Sequence, residues 1–162
     1  MKYPNRKNQR LQNYNYNQSG CYFLTICSKE KQKIFGEIVG GGAFDAPKTN
    51  LSKAGKTAEK YILSSNNIPE IEIKKYVIMP NHIHMLISLK NSGASKAPLP
   101  TNNKISLCVS TLKRFINKEI GENIFQRSFY DHVIRNEEEY KEIWKYIDEN
   151  PQKWSLDEFY KI

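Results

Sequence analysis

The chain has 162 residues, 39% of them hydrophobic and 26% charged, with a formal net charge of +8 and a pI near 9.3. That length suits one domain with a core of its own, and the basic balance points to a polyanionic partner, because cations that neutralise phosphates release counterions. No apolar run approaches the roughly 20 residues of a membrane span, and three cysteines without paired spacing argue against a disulfide framework and a zinc knuckle. A single cytoplasmic domain over residues 1–162, with no membrane partner, is the expectation.

Positive charge gathers at the start, where Lys2, Arg6, Lys7, Arg10 and Lys29 all precede the first acidic residue, Glu30. Residues 1–19 read as a basic arm ahead of a core over 20–154. In that arm Arg6, Lys7 and Arg10 suit phosphate contacts, while Tyr14 and Tyr16 suit base stacking. Aromatic and β-branched residues over 21–27 predict a first, central strand. A short strand over 35–39 runs into Gly40-Gly41-Gly42, a hairpin or a flexible loop. Ala54, Ala58, Tyr61 and Ile62 repeat at helical spacing and predict a helix over 52–64.

Residues 71–78 and 82–89 read as two strands joined at Met79-Pro80-Asn81, an antiparallel pair. The segment 91–103 lacks periodicity and reads as a mobile loop. Ile105, Leu112, Phe115, Ile116 and Ile120 mark a second helix, which also carries Lys113, Arg114 and Lys118; a last strand falls near 128–134. The final helix has Asn136 as N-cap, Glu139 three positions on and Asn150-Pro151 as its stop, so the Glu137–Glu139 run reads as helix capping. Strand, helix, strand, strand, helix, strand is the order of the ferredoxin-like split βαβ, an α+β fold with an antiparallel sheet and two packed helices, here followed by a further terminal helix.

The chemistry concentrates on that frame. His82 and His84, two of three histidines in the chain, are two apart on a strand and therefore face the same way, with Ile83 and Met85 turned to the other side. Tyr146 and Asn150, four apart, share a helix face. Two imidazoles and an amide oxygen leave about three positions of an octahedral ion open for water and phosphate oxygens, which suits Mg²⁺ or Mn²⁺ chemistry at phosphorus. Lys113, Arg114 and Arg127 are placed to line a single-strand path.

Three segments together, Met79-Pro80-Asn81-His82-Ile83-His84, residues 129–136 and Tyr146-Ile147-Asp148-Glu149-Asn150-Pro151, resemble the REP-associated tyrosine transposases, small members of the single-tyrosine HUH superfamily. The resemblance runs from about Tyr22 to Trp154. It implies metal-dependent cleavage and rejoining of single-stranded DNA beside hairpin-forming repeats through a 5′-phosphotyrosine. It also implies His82, His84 and Asn150 as metal ligands, Tyr146 as nucleophile, and a monomer or homodimer. Where many relatives carry a Gly-Thr-Trp-like element before the first strand, Ser19-Gly20-Cys21-Tyr22 stands here. A nicking endonuclease of the replication-initiator type, or a nucleic-acid-binding protein without catalysis, are the alternative readings.

Overall fold

A computed structural model describes residues 14, 18–90 and 104–160. Arg6, Lys7, Arg10 and Tyr16 of the basic arm, and the expected loop over 91–103, lie outside the described residues. The chain runs through β1 (Gly20–Cys27), β2 (Gly36–Val39), β3 (Lys48–Leu51), α1 (Lys53–Ser64), β4 (Ile71–Ile78), β5 (His82–Leu89), α2 (Lys104–Ile120), β6 (Tyr130–Ile134) and α3 (Glu137–Glu149). Four strands form one antiparallel sheet in the order β4-β5-β1-β6, so the first strand is central, as its apolar density predicts. This is the ferredoxin-like order. The pair β2–β3 is a separate hairpin.

Alternation along the strands divides the sheet into two chemically distinct faces. Tyr22, Leu24 and Ile26 of β1 and Ile83, Met85, Ile87 and Leu89 of β5 point to one face, all buried, against Ala58 and Ile62 of α1 and Ile105, Val109, Leu112 and Ile116 of α2. On β4 the alternation slips at a register shift between Ile73 and Lys75, which returns Tyr76 and Ile78 to the side that Ile71 and Ile73 began on. Without that bulge the second half of β4 would turn its apolar residues away from the core. The opposite face carries Phe23, Thr25, His82, His84, Tyr130 and His132, and α3 packs across it.

Local chemistry fixes the helix that bears the tyrosine. Asn136 accepts the Glu139 amide at 2.8 Å, closing the N-terminus as its sequence predicts. Glu139 reaches back to the Arg135 amide at 2.8 Å and to His132 Nε2 at 2.5 Å, so His132 is a hydrogen-bonded histidine that ties β6 to α3. On the outer side of β4, Lys75 pairs with Asp148 at 2.6 Å and lies over the Trp144 ring at 4.1 Å. These contacts set the rotation of α3 about its axis, and with it the direction of Tyr146.

Candidate active site

His82 and His84 open β5 immediately after a two-residue turn, Pro80-Asn81. The turn is held from outside: Phe35 donates its amide to Pro80 O at 3.0 Å, and Ser28 donates to Asn81 O at 2.9 Å. Asn81 is fully buried, and its Nδ2 donates to Phe159 O at 2.7 Å and Lys31 O at 3.2 Å. Both amide hydrogens are thereby used, which leaves Oδ1 as an acceptor for His82 Nδ1 at 2.8 Å. The proton of His82 is placed on Nδ1, and its Nε2 lone pair is free to ligate. His84 Nδ1 meets Thr25 Oγ1 at 2.9 Å, on the neighbouring strand position.

The two Nε2 atoms are 3.0 Å apart. Cis ligands on an octahedral ion with bonds of about 2.1 Å sit at about 3 Å from each other, so the spacing is that of two donors to one centre. Burial holds both imidazoles neutral. His82 is pushed down to about 3 by desolvation and by the Lys31 charge, against a smaller upward pull from Asn150, and His84 lies well below the ordinary range because it is enclosed and beside His82. Neutral rings are the ligating form.

Helix α3 brings the remaining groups. Tyr146 Oη lies 3.4 Å from His84 Nε2, its ring edge-on to Phe23 with centroids 5.9 Å apart, and its side is open to solvent at 40% exposure. Burial of the hydroxyl end and the nearby Asp157 carboxylate raise its pKa, so the phenol is protonated in this arrangement. Asn150 is buried beside His82, Tyr146 and Asp157, and its Oδ1 has no hydrogen-bond partner. An orphaned carbonyl oxygen enclosed beside two imidazole lone pairs is costly unless something electropositive joins it. The donor set of His82, His84 and Asn150 therefore fits a hard or borderline divalent ion.

One member of the cluster has no signal in the sequence. Asp157 follows a short turn of helix, Trp154–Leu156, and its carboxylate lies 3.8 Å from His82 Nε2 with its side chain 3% exposed. The ligand atoms of His82, His84 and Asp157 all fall within 4.8 Å of one another. Desolvation raises the Asp157 pKa, while the Phe159 amide, donating to its Oδ1 at 2.7 Å, opposes that. The tail that carries it closes over the histidines, with the Phe159 ring 4.6 Å and the Trp154 ring 5.9 Å from His82. Spacing could not reveal Asp157, because it lies outside both the strand and the helix whose periodicities expose the other residues.

Of the basic residues singled out from sequence, Lys113, Arg114 and Arg127 lie among the described residues. Lys113 points inward and donates to the carbonyls of Gln126, Ser128 and Arg127 at 2.8, 3.1 and 3.4 Å, with desolvation lowering its pKa to about 8. It shapes the 126–128 segment beside the site. Arg114 and Arg127 are exposed, the former with its guanidinium 5.2 Å from the Phe115 ring centre. Among the described residues, no helix is long and apolar enough to cross a membrane.

The fold, a four-stranded antiparallel sheet with packed helices, is shared with solved structures. The chain matches the fold of a REP-associated tyrosine transposase solved with a REP hairpin, at a TM-score of 0.65 and 19% identity over 91% of this chain and 76% of that one. It also matches a candidate transposase of Deinococcus radiodurans R1, at a TM-score of 0.50 and 12% identity over 86% and 95%. An uncharacterised protein of Haemophilus influenzae is 32% identical over 96% of this chain and 93% of its own. The family model described as "Transposase IS200 like" matches residues 48–150, and the chain belongs to that family.

Proposed function

We propose that this protein cleaves and rejoins single-stranded DNA beside hairpin-forming repeats, with Tyr146 as nucleophile and His82, His84 and Asn150 holding Mg²⁺ or Mn²⁺. The observation that carries the reading is the convergence of four groups from β5 and α3 of one chain. The two imidazole nitrogens stand 3.0 Å apart, the Tyr146 hydroxyl lies 3.4 Å from one of them, and the Asn150 carbonyl oxygen has no hydrogen-bond partner. Asp157 is a further candidate ligand on the same cluster.

A divalent ion in this donor set would supply Lewis-acid polarisation of the scissile phosphate. The residues do the rest. Asn81 and Thr25 orient the imidazoles, Phe23 holds the tyrosine ring edge-on, and the Lys75–Asp148 pair holds the helix. The Tyr146 oxygen bonds to phosphorus as the bond from phosphorus to the 3′ oxygen breaks. The phenolic proton ends on that departing oxygen, leaving a 3′-hydroxyl and a 5′-phosphotyrosine. One phosphodiester replaces another, so a 3′-hydroxyl can reverse the step without a nucleotide cofactor.

Arg6, Lys7, Arg10, Lys113, Arg114 and Arg127 are the proposed DNA-binding residues. Arg114 and Arg127 suit direct phosphate contact by their exposure, and Lys113 suits a positioning role through the carbonyls it holds. The test is a gel assay for covalent adduct on single-stranded hairpin oligonucleotides from the gene's flanks, with Mn²⁺ or Mg²⁺ against chelator. A metal-dependent adduct lost in Tyr146→Phe is expected. Tight binding without adduct on any such strand would favour a DNA-binding protein without catalysis, and an adduct that survives Tyr146→Phe would move the nucleophile to another tyrosine.

A further inference from the structure

Beside the histidine pair lies a cavity of about 450 Å³, most of whose walls the cleavage chemistry leaves unused. That volume is in the range of small-ligand pockets. Tyr146 and His84 form one end of it, and its walls are aromatic: Phe23 from β1, Phe129 and Tyr130 at the start of β6, and Phe159 from the tail. Tyr130 stands opposite Thr25 on the sheet, the residue that holds His84 Nδ1, so its ring is one strand away from the metal pair. It is 47% exposed. It stacks on no other ring among the described residues.

The polar lining is sparse and specific. Lys113 occupies the main-chain carbonyls of Gln126 and Ser128, and the Gln126 amide donates to Cys27 O at 3.0 Å. The Gln126 side-chain amide and the Ser128 hydroxyl, which also line the cavity, have no hydrogen-bond partner among the described residues. Glu158 adds a carboxylate, and Lys31, the cation at the rim, sits over the Phe159 ring at 4.7 Å. The two opposite charges, Lys31 and Glu158, leave the lining without net attraction for a phosphate, and the rest of the walls are flat and apolar. A neutral planar ring would find π-faces to stack on and a donor–acceptor pair at its edge.

We infer that this cavity seats one unpaired nucleobase, that of the nucleotide adjoining the scissile phosphate, stacked on Tyr130 and read at its edge by Gln126. The inference rests on Tyr146 as the attacking residue, since that contact brings the adjoining nucleotide to the cavity mouth. Seating the base fixes the phosphate relative to the phenol, and the edge contact makes the cut depend on one base beyond the hairpin.

The test uses the full chain carrying Tyr146→Phe, with Mn²⁺, and single-stranded oligonucleotides from the gene's flanks in which 2-aminopurine replaces one base at a time. One position, next to the cleavage point, is expected to lose its fluorescence on binding and to regain it when Tyr130→Ala is added. With Tyr146 intact, removing that base should slow adduct formation about tenfold, and the penalty should disappear in Tyr130→Ala. Gln126→Ala should keep the quenching while flattening the preference among the four bases at that position. The inference is overturned if bound strands show no quenched position, or if the abasic penalty is the same with Tyr130 and with alanine. Failure of the nucleophile assignment is read separately, as an adduct that persists in Tyr146→Phe, because the fluorescence measurement needs no cleavage.

Discussion

The neutral histidine pair makes the metal-free protein sensitive to acid. An unfolded histidine titrates near 6.5, whereas in the fold His82 is held at about 3 and His84 well below its usual value. Depressed values mean that the stability is whole above pH 6.5 and is lost as pH falls toward 3, the unfolded chain taking up protons that the native one refuses. Two such groups steepen the loss, since each adds its own proton uptake on unfolding. Urea midpoints measured with chelator from pH 7 to 4 should drop steeply, and less steeply in a His82→Gln/His84→Gln variant. A second outcome concerns Asn81, which accepts from His82 Nδ1 and donates to Phe159 O. Asn81→Ala should weaken Mn²⁺ binding by about 10- to 100-fold by calorimetry, because the ring loses the partner that fixes its tautomer and the tail loses its anchor. Equal Mn²⁺ affinity in the variant would mean that the turn backbone alone orients His82.

At the scale of elements, the site depends on packing remote from it. Gly55 in α1 lies so close to the β2 entry that an added Cβ would sit 2.1 Å from Phe35 O and 3.1 Å from the Leu51 side chain. Phe35 in turn donates to Pro80 O, at the turn that carries Asn81. Gly55→Ala should therefore cost about 2 kcal/mol or more, a fall of several degrees in Tm, and should also lower Mn²⁺ affinity. An unchanged affinity at reduced Tm would show that the strain stays within α1. The sequence makes some of these links visible and hides others. The same-face pair on β5, the capped ends of α3 and the helical spacing of α1 and α2 are periodic signals, and each element forms where its period runs. Strand β3 has no such signal, since Lys48-Thr49-Asn50-Leu51 has one apolar residue and no apolar alternation, and it pairs only with β2. The bulge in β4 is hidden for the same reason, because two lysines in succession look like a solvated edge and not like a change of register.

For the whole molecule, the division of labour between the two sheet faces explains why the fold class was legible while the site was only partly so. One face is filled by apolar side chains in a pattern that any ferredoxin-like sheet requires, and its residues announce the topology. The other face is assembled from β5, α3 and the tail after residue 150, and Asp157 and Phe159 reach it through a single short helical turn that carries no periodic signal. The inward turn of Lys113 is equally invisible in a helix that also carries the exposed Arg114 and Lys118. Binding of the strand should be governed by charge outside this cluster. If Arg6, Lys7 and Arg10 each neutralise one phosphate, the dependence of log K on log salt should flatten by about 2 when all three become glutamine, at about 0.7 per contact for a single strand. Filter binding of a Tyr146→Phe protein to a flank-derived strand between 50 and 300 mM salt measures it. An unchanged slope would place the arm off the phosphates and leave Arg114 and Arg127 as the phosphate contacts, while a flattening that equals the loss predicted for three contacts would assign the arm as the principal electrostatic tether of the substrate.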